Sequence, residues 1–249
     1  GRTVDDLVLL LGVLSQQAPA DPLSQGLDLP AQLTPSEGPL RVAWSPTLGG
    51  LPVESDVLAV LETIPPVLEG LGWEVVEDQP DFSGAGEAFA TLRGWLNATG
   101  FAARLGPRLS ELKQTIRDEA ANGAKVTAQE VADALDHLRV LWSRGADFFQ
   151  RFDLLLGPVS QVAPFPIETE YPEVVAGQKM NSYIEWMMSC CRVTAMGSPA
   201  LSLPAGFTSA GLPTGVQMIG GPRQDVGVLR AAKALEAATG HGRIRPNLS

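Results

Sequence analysis

The sequence predicts an α/β fold in which a mixed β-sheet is flanked by helices. A strand, a helix and a second strand follow one another over residues 41–77, which is typical of a βαβ unit. A short, wholly apolar strand is predicted at 153–157. Two apolar runs at 200–203 and 216–219, separated by turns rich in Gly and Pro, predict a hairpin-like pair. Alternating strands and helices with such a pair indicate a mixed sheet.

The first predicted element is a helix that begins after Thr3. Thr3 is a favourable N-cap, and Asp6 stands three positions later, as in a capping box. Apolar side chains cover nearly all sides of this helix, including Leu9, Leu10 and Val13. A helix of this kind is usually buried on several sides. We therefore expect neighbouring structure that covers it.

A surface connection is predicted at residues 16–39, which are polar and rich in Pro, Ser and Gly. The βαβ unit comes next, with strands at 41–45 and 73–77 and a helix at 53–71 between them. This order predicts two parallel strands joined by a right-handed crossover. Two prolines at 65–66 remove backbone donors, so the helix should break before the first of them.

Residues 83–151 carry no strand pattern and predict a helical insertion between strands. Helical periodicity marks three stretches, at about 87–105, 110–122 and 127–152. Thr127 is a favourable N-cap for the last of them, with Glu130 three residues later. Its apolar stripe consists of Val131, Leu135, Leu138, Leu141 and Trp142.

The strand at 153–157 should be central in the sheet because it is apolar throughout. Residues 158–179 hold four prolines and no regular pattern, and long segments after strand ends often line sites. A helix at 181–196 leads into the hairpin-like pair. The last predicted element is a helix at 225–239, capped by Gly240.

The composition limits the classes of partner. The chain has 249 residues and a net charge of −10, which repels nucleic-acid phosphates and anionic membranes. No apolar run reaches the roughly 18 residues of a membrane span, and acidic residues within the apolar stretch at 4–14 argue against a signal peptide. We expect a cytoplasmic protein that folds as one domain over residues 1–249. Cys190 and Cys191 are expected to be reduced, buried thiols on a helix.

Few residues offer metal or anion chemistry. Asp133 and His137 share a helix face and could hold a metal together, but a solvated ion pair is favoured because no third ligand is evident. Gly220 to Arg223 precede a helix, where an anion can bind. A strand-to-helix turn is the simpler interpretation. No metal and no cofactor are predicted.

Nucleophilic catalysis needs a nucleophile, a base and donors for the oxyanion, and the sequence offers no such set. The lysines available as a base are Lys113, Lys125, Lys179 and Lys233. None lies in a Gly/Ser-rich loop beside a serine. The serines considered as nucleophiles are Ser182, Ser189, Ser198 and Ser202, and none has an evident basic partner.

Four segments resemble the amidase signature family of serine amidohydrolases. Residues 1–15, GRTVDDLVLLLGVLS, are similar to the helix that follows the signature segment in these enzymes. DLLLGPV at 153–159 resembles their D-x-L-L-x-P-T element. MGSPALSLPAG at 196–206 and GLPTGVQMIG at 211–220 resemble the two late motifs. The matches follow in order along the chain, and the last two together are specific.

The resemblance implies an enzyme that hydrolyses a carboxamide to a carboxylic acid and ammonia or an amine through a serine acyl-enzyme. In this family a Ser–Ser–Lys set performs catalysis, and all its members precede the helix with which this chain begins. No residue here matches them, so the resemblance implies an incomplete amidase-signature fold. The chain alone is expected to be inactive. Its expected partners are the missing N-terminal half and a small-molecule amide.

The resemblance also implies where the acyl group would bind. The substrate-binding candidates are Pro158, Val159, Ser160, Phe165, Trp186 and Cys190, with Gln161 at the end of the same loop. Ordinary packing is the alternative for each, since pockets and cores are both lined mostly by apolar groups. Two departures from the family matter. Val159 and Ser160 replace the usual Thr, which leaves the substrate open, and the prolines at 65–66 interrupt a helix expected to be continuous.

Two other functions stay open. One is a non-catalytic domain that keeps the fold for binding or assembly, and an upstream Gly/Ser-rich segment would argue against it. The other is the glutamine-hydrolysing component of a transfer-RNA amidotransferase, against which the acidic balance counts mildly. Strands that normally pair with a missing half would be exposed edges. We therefore expect self-association, with Leu9, Leu10 and Val13 buried against another copy.

Overall fold

A computed structural model of the chain describes residues 1–22, 24, 26–27, 29, 33–36 and 38–244. The predicted surface connection at 16–39 lies partly outside the described residues. The strands are β1 (Arg41–Trp44), β2 (Glu74–Glu77), β3 (Leu154–Pro158), β4 (Val174–Val175), β5 (Gln178–Lys179), β6 (Ala200–Phe207) and β7 (Pro213–Gly220). Five of them form one sheet in the order β2-β1-β3-β7-β6, while β4 and β5 form a small separate hairpin.

The five-stranded sheet is mixed, as predicted. β1 runs parallel to β2 and β3, and β7 runs antiparallel to β3 and β6. β3 is buried at every position, and its Leu155 lies between Ala43 of β1 and Ile219 of β7. Leu154 and Leu156 face one helical layer and Leu155 faces the other, because successive side chains of a strand alternate. The predictions of a βαβ unit, a central strand and a hairpin-like pair are confirmed.

Helices cover both faces of this sheet. They are α1 (Val4–Leu14), α2 (Ser55–Leu61), α3 (Ile64–Gly70), α4 (Ala85–Leu96), α5 (Ala103–Leu105), α6 (Gln114–Gly123), α7 (Ala128–Phe148), α8 (Met188–Met196) and α9 (Asp225–Thr239). A π-helical turn spans Asn97–Ala102, and 3₁₀ turns span Gly106–Glu111, Glu185–Met187 and His241–Arg243. Among the residues described, no helix is long and apolar enough to cross a membrane.

One layer consists of α1, α2, α3 and α9. Their buried side chains pack in one cluster with Leu154, Leu156 and Met218 of the sheet. The break predicted within residues 53–71 is confirmed, because Glu62 and Thr63 separate α2 from α3 and the first proline lies in the opening turn of α3. A proline is tolerated there, since the amide of a first helical turn has no partner within the helix.

The other layer contains α4, α7 and α8, which pack on Ala43, Leu155 and Ile219. The predicted helical insertion between β2 and β3 is therefore helical as expected. The stripe predicted for α7 is partly wrong. Leu141 is buried, but Leu135 is exposed and Trp142 is half exposed. The buried face consists of Ala134, Leu141, Gly145 and Phe148. Small residues form much of it because α4 and α8 approach α7 closely.

The helix predicted at 181–196 begins later than expected. A 3₁₀ turn occupies Glu185–Met187, and α8 begins only at Met188. The carboxylate of Glu185 accepts hydrogen bonds from the backbone N and the side-chain Nδ2 of Asn181, at 2.7 and 3.3 Å. Such local bonds compete with a helical turn, which accounts for the shorter helix.

The first helix has the predicted cap and two contrasting faces. Thr3 Oγ1 accepts from the backbone N of Asp6 at 3.1 Å, and Asp6 accepts from the backbone N of Thr3 at 3.3 Å. One face packs on the core beside α9. The other face carries Leu9, Leu10 and Val13, with exposed fractions of 75%, 47% and 67%. Within the described residues, these three side chains are therefore only partly covered.

Candidate functional site

Three segments meet where the parallel strands β1 and β3 end, and the buried side chain of Gln161 joins them. Gln161 Nε2 donates to the carbonyl of Pro52 at 3.0 Å, and its Oε1 accepts from the backbone N of Ser189 at 3.2 Å. The Gln161 carbonyl also accepts from the backbone N of Glu54 at 2.9 Å. The loop after β1, the loop after β3 and the start of α8 are thus held in one arrangement.

The N-terminal part of α8 is fastened to the loop after β3 by a second pair of contacts. Ser189 Oγ and Cys190 Sγ both donate to the carbonyl of Val159, at 2.8 and 2.9 Å. Burial raises the pKa of the Cys190 thiol, so it stays protonated near neutral pH and acts as a donor. Cys191 is buried on the same helix, and neither thiol is in a disulfide. Two free thiols on a helix were predicted, although Cys190 is only partly buried.

A cleft of about 260 Å³ lies beside this junction, between the loop after β3 and the β6–β7 hairpin. Four of the six predicted substrate-binding residues line it: Val159, Ser160, Phe165 and Trp186. The other two lie next to it. The Pro158 carbonyl accepts from Gln217 Nε2 at 3.4 Å, and Cys190 contacts the Val159 carbonyl. The structure therefore brings the six candidates into one region.

Sequence reasoning missed the opposite wall of this cleft. It is formed by Ser202 of β6 and by Pro213, Thr214 and Gly215 of β7. These residues lie in the hairpin-like pair, and none of them is among the substrate-binding candidates predicted from the sequence. The signal that could have found them is adjacency, because β7 pairs with β3 and brings its first residues beside the Pro158 end of that strand.

Two residues that line the cleft, Phe165 and Trp186, belong to an aromatic cluster. Trp186 meets Phe165 edge to face, with ring centroids 5.3 Å apart and planes at 88°, and meets Tyr183 at 6.3 Å in a similar arrangement. Edge-to-face pairs of this kind are favourable beyond the area that they bury. Phe165 and Trp186 also pack on a small separate core made of Val162, Val175 and Met180. The irregular segment after β3 thus packs by its own side chains.

A second, larger cleft of about 530 Å³ is lined by Met188 and Arg192 of α8 and by several charged groups. They include Asp81, Glu87 and Arg192. Arg192 Nη1 donates to the carbonyls of Leu48 and Gly49 at 2.6 and 2.9 Å, which fastens the loop after β1. Burial lowers the pKa of Arg192, and Glu87 acts in the opposite direction.

No catalytic set is assembled among the residues that the structure describes. Lys233 pairs with Asp5 on the surface, and Ser189 donates to a backbone carbonyl. Asp133, one half of the possible metal pair, accepts from Gln129 Nε2 at 2.8 Å. Nowhere in the described part of the chain do three His, Cys, Asp or Glu side chains gather as a metal site would require. The residues before α9 form a turn in which the backbone N of Gln224 donates to the Gly221 carbonyl.

Comparison with known proteins gives a consistent result. The family model described as Amidase matches residues 1–229. An acylamidase of Rhodococcus erythropolis is 29% identical over 252 residues, which cover 95% of this chain and 50% of the relative. A putative amidase of Synechocystis sp. is 28% identical, with 94% and 46% covered. The chain spans about half the length of the curated relatives that it matches along its whole length.

Solved structures show the same fold. A bacterial aryl acylamidase of the amidase signature enzymes superposes with a TM-score of 0.82 at 22% identity, covering 98% of this chain and 54% of the other. A 6-aminohexanoate cyclic dimer hydrolase complexed with substrate superposes with a TM-score of 0.81 at 21% identity, covering 99% and 55%. Both are α/β proteins of the architecture seen here, with a longer chain.

Proposed function

Because the chain belongs to the Amidase family, that of the amidase signature enzymes, we propose that it is the C-terminal, pocket-forming part of an amide hydrolase. The enzyme converts a carboxamide to a carboxylic acid and ammonia or an amine. The observation that carries the proposal is the cleft between β3 and the β6–β7 hairpin. Three of the segments that resemble the family contribute to its walls, through Val159, Ser202 and Thr214.

The proposed chemistry uses groups supplied by a segment upstream of this chain. A serine oxygen attacks the amide carbon while a serine–lysine relay accepts its proton. The C–N bond then breaks, and the nitrogen leaves with a proton as ammonia or an amine. Water hydrolyses the resulting acyl-enzyme to the carboxylic acid and regenerates the serine. Nothing in this scheme requires a metal or a cofactor.

The residues of this chain hold the acyl group. Val159, Ser160, Phe165 and Trp186 form one wall, and Pro158 and Cys190 fix the loop behind it. Orientation of this kind lowers the barrier because the reacting carbon is presented to the nucleophile in a fixed geometry. Gln161 is a positioning residue, since it acts through the two loops and the helix that it joins.

The same proposal covers assembly and location. β6 is an edge strand of the described sheet, and Leu9, Leu10 and Val13 are exposed on α1. Either a signature-bearing segment or a second copy of the chain is the proposed cover for these surfaces. We place residues 1–249 in one domain with a helical insertion at about 83–151. A cytoplasmic location agrees with two reduced thiols and no disulfide in the described residues.

A glutamine-hydrolysing role is the second candidate, and one comparison favours it. A protein of Myxococcus xanthus that forms part of the glutamyl-tRNA(Gln) amidotransferase is 39% identical over 88 residues, which cover 35% of this chain and 17% of the relative. The acylamidase match covers 95% of this chain. A whole-length match supports amide hydrolysis more strongly than a partial one, so the simple amidase comes first.

Fusion to a signature-bearing segment tests the proposal. The part of the Rhodococcus acylamidase that lies outside the aligned half is joined to this chain, and ammonia or amine release is measured on a panel of amides. We expect hydrolysis by the fusion and none by either part alone. A fusion that folds but hydrolyses no amide would favour a non-catalytic domain. A fusion that releases ammonia from glutamine but from no other amide of the panel would favour the glutamine-hydrolysing role.

A further inference from the structure

Among the residues described, no charged side chain lines the cleft between β3 and the hairpin, in contrast to the neighbouring cleft at Arg192. Its walls are made of Val, Ala, Pro, Phe and Trp with a few hydroxyl groups. The neighbouring cleft is lined by Asp81, Glu87, Glu185 and Arg192. Placing a charged group in an uncharged, largely apolar site leaves that charge without a partner. The first cleft therefore fits a neutral group.

Two buried polar atoms on residues of this cleft have no hydrogen-bond partner within the described part of the chain. They are the indole Nε1 of Trp186 and the hydroxyl Oγ1 of Thr214. The hydroxyl of Ser160, by contrast, already donates to the carbonyl of Val162 at 2.9 Å. Buried polar atoms are usually paired, so two unpaired atoms on residues that line a single cleft point to a ligand.

The dimensions suit a planar ring. A cavity of about 150 Å³ holds benzene, and this cleft measures about 260 Å³. Phe165 and Trp186 present an edge-to-face pair at 5.3 Å, against which a third ring can pack. Pro164 and Pro213 form rigid parts of the walls. A ring with one small polar substituent fits this volume.

We propose that the cleft binds a neutral aryl group that carries a hydrogen-bond acceptor, with Trp186 Nε1 as the donor to that acceptor and Thr214 Oγ1 as a second contact. The inference rests on the proposed function, since it names the acyl group of the amide. Trp186 lines the cleft while its Nε1 lies below the accessible surface, so the proposal requires the indole to turn when the ring enters. The proposal predicts that L-glutamine, which carries two charged groups, does not bind in this cleft.

Binding to the full 249-residue chain tests the proposal without any need for catalysis. The probes are benzamide, ethylbenzene, benzoate and L-glutamine, and dissociation constants are measured by calorimetry or NMR titration. We expect benzamide to bind and the two charged probes not to bind. Trp186→Phe keeps a ring beside Phe165 but removes the N–H. It should therefore raise the dissociation constant of benzamide roughly tenfold and leave that of ethylbenzene unchanged.

Trp142→Phe is the matched control, because Trp142 Nε1 already donates to the Ala195 carbonyl at 2.9 Å outside the cleft. Its affinity for benzamide should equal that of the wild type. Thr214→Val, which is isosteric, should weaken the binding of benzamide. It serves as the second variant if Trp186→Phe does not fold. The proposal is overturned if benzamide does not bind, if Trp186→Phe binds it as tightly as the wild type, or if L-glutamine binds in competition with it.

The test separates this inference from the proposed function. If the chain binds benzamide but the fusion hydrolyses no amide, the proposed function is wrong and the proposed ligand class is still supported. If instead the fusion hydrolyses amides, and its preference for aryl over alkyl amides is unchanged by Trp186→Phe, the proposed function stands and the ligand class is wrong.

Discussion

Gln161 Oε1 accepts a hydrogen bond from the backbone N of Ser189 at 3.2 Å, although the two residues lie 28 positions apart in the chain. This contact fixes the start of α8 against the loop after β3. One wall of the proposed acyl-binding cleft depends on it, since Val159 and Ser160 lie on the loop and Trp186 lies just before the helix. A single buried amide therefore holds together the two segments that form this wall.

Replacement of Gln161 by Leu should destabilise the fold. The variant fills a similar volume but leaves the Ser189 amide and the Pro52 carbonyl without partners, and each buried group left unpaired costs about 1–3 kcal/mol. The free energy of unfolding from denaturant titration measures the loss. Gln150→Leu is the control, because Gln150 is exposed and should change stability by less than about 0.5 kcal/mol. Equal stability of the two variants would contradict the role assigned to Gln161.

The helical insertion depends on a glycine contact. A Cβ atom on Gly123 of α6 would lie 1.8 Å from the carbonyl oxygen of Gly94 in α4. Gly123→Ala must therefore push the two helices apart and should cost about 1–3 kcal/mol, measured as the change in the denaturation midpoint. Gly12→Ala in α1, where nothing lies within 4 Å of the new Cβ, should instead stabilise by about 0.5–1 kcal/mol. A stabilising Gly123→Ala would show that the helices are not in contact there.

Local signals in the sequence predicted most elements of this fold. Both Thr caps were predicted from residue type and spacing, and both capping boxes form. The five strands of the main sheet and the break at the prolines were predicted for the same reason, since their causes lie within a few residues, whereas the short β4–β5 hairpin was not predicted. The buried face of α7 was not, because Leu135 and Trp142 satisfy the helical period equally well. Which face is covered depends on where α4 and α8 lie, and the period carries no information about that.

The candidate site was predicted in the same partial way. Residues of one continuous segment, such as Val159 and Phe165, were found through the resemblance to a family. Thr214 was not, because its place in the cleft depends on the register of β7 against β3, with Val216 opposite Pro158. Register is a long-range property, and the turn-forming composition around 211–215 conceals it.

The stability of the protein should depend on pH through Cys191. Burial and the neighbouring Cys190 raise the pKa of the Cys191 thiol to about 11, while an unfolded thiol has a pKa of about 8.5. The folded state therefore holds the proton more tightly between these values. The stability that this thiol contributes is fully present below the unfolded pKa and is lost as the pH rises through the folded one. We expect the free energy of unfolding to fall more steeply above pH ~8.5 in the wild type than in Cys191→Ala. Parallel pH profiles would show that the thiol is not buried as described.

Self-association should depend on the exposed face of α1. Leu9 and Val13 lie one helical turn apart with exposed fractions of 75% and 67%, so they form a continuous apolar surface when two helices meet. The double variant with Leu9→Glu and Val13→Glu places like charges in that contact and should shift the protein to a monomer, as measured by light scattering over a range of concentrations. Gln16→Glu with Gln17→Glu adds the same charge just beyond the helix and should leave the association unchanged. If the wild-type chain stays monomeric at every concentration, the self-association prediction is wrong, and another segment of an amide hydrolase is then the expected cover for this face.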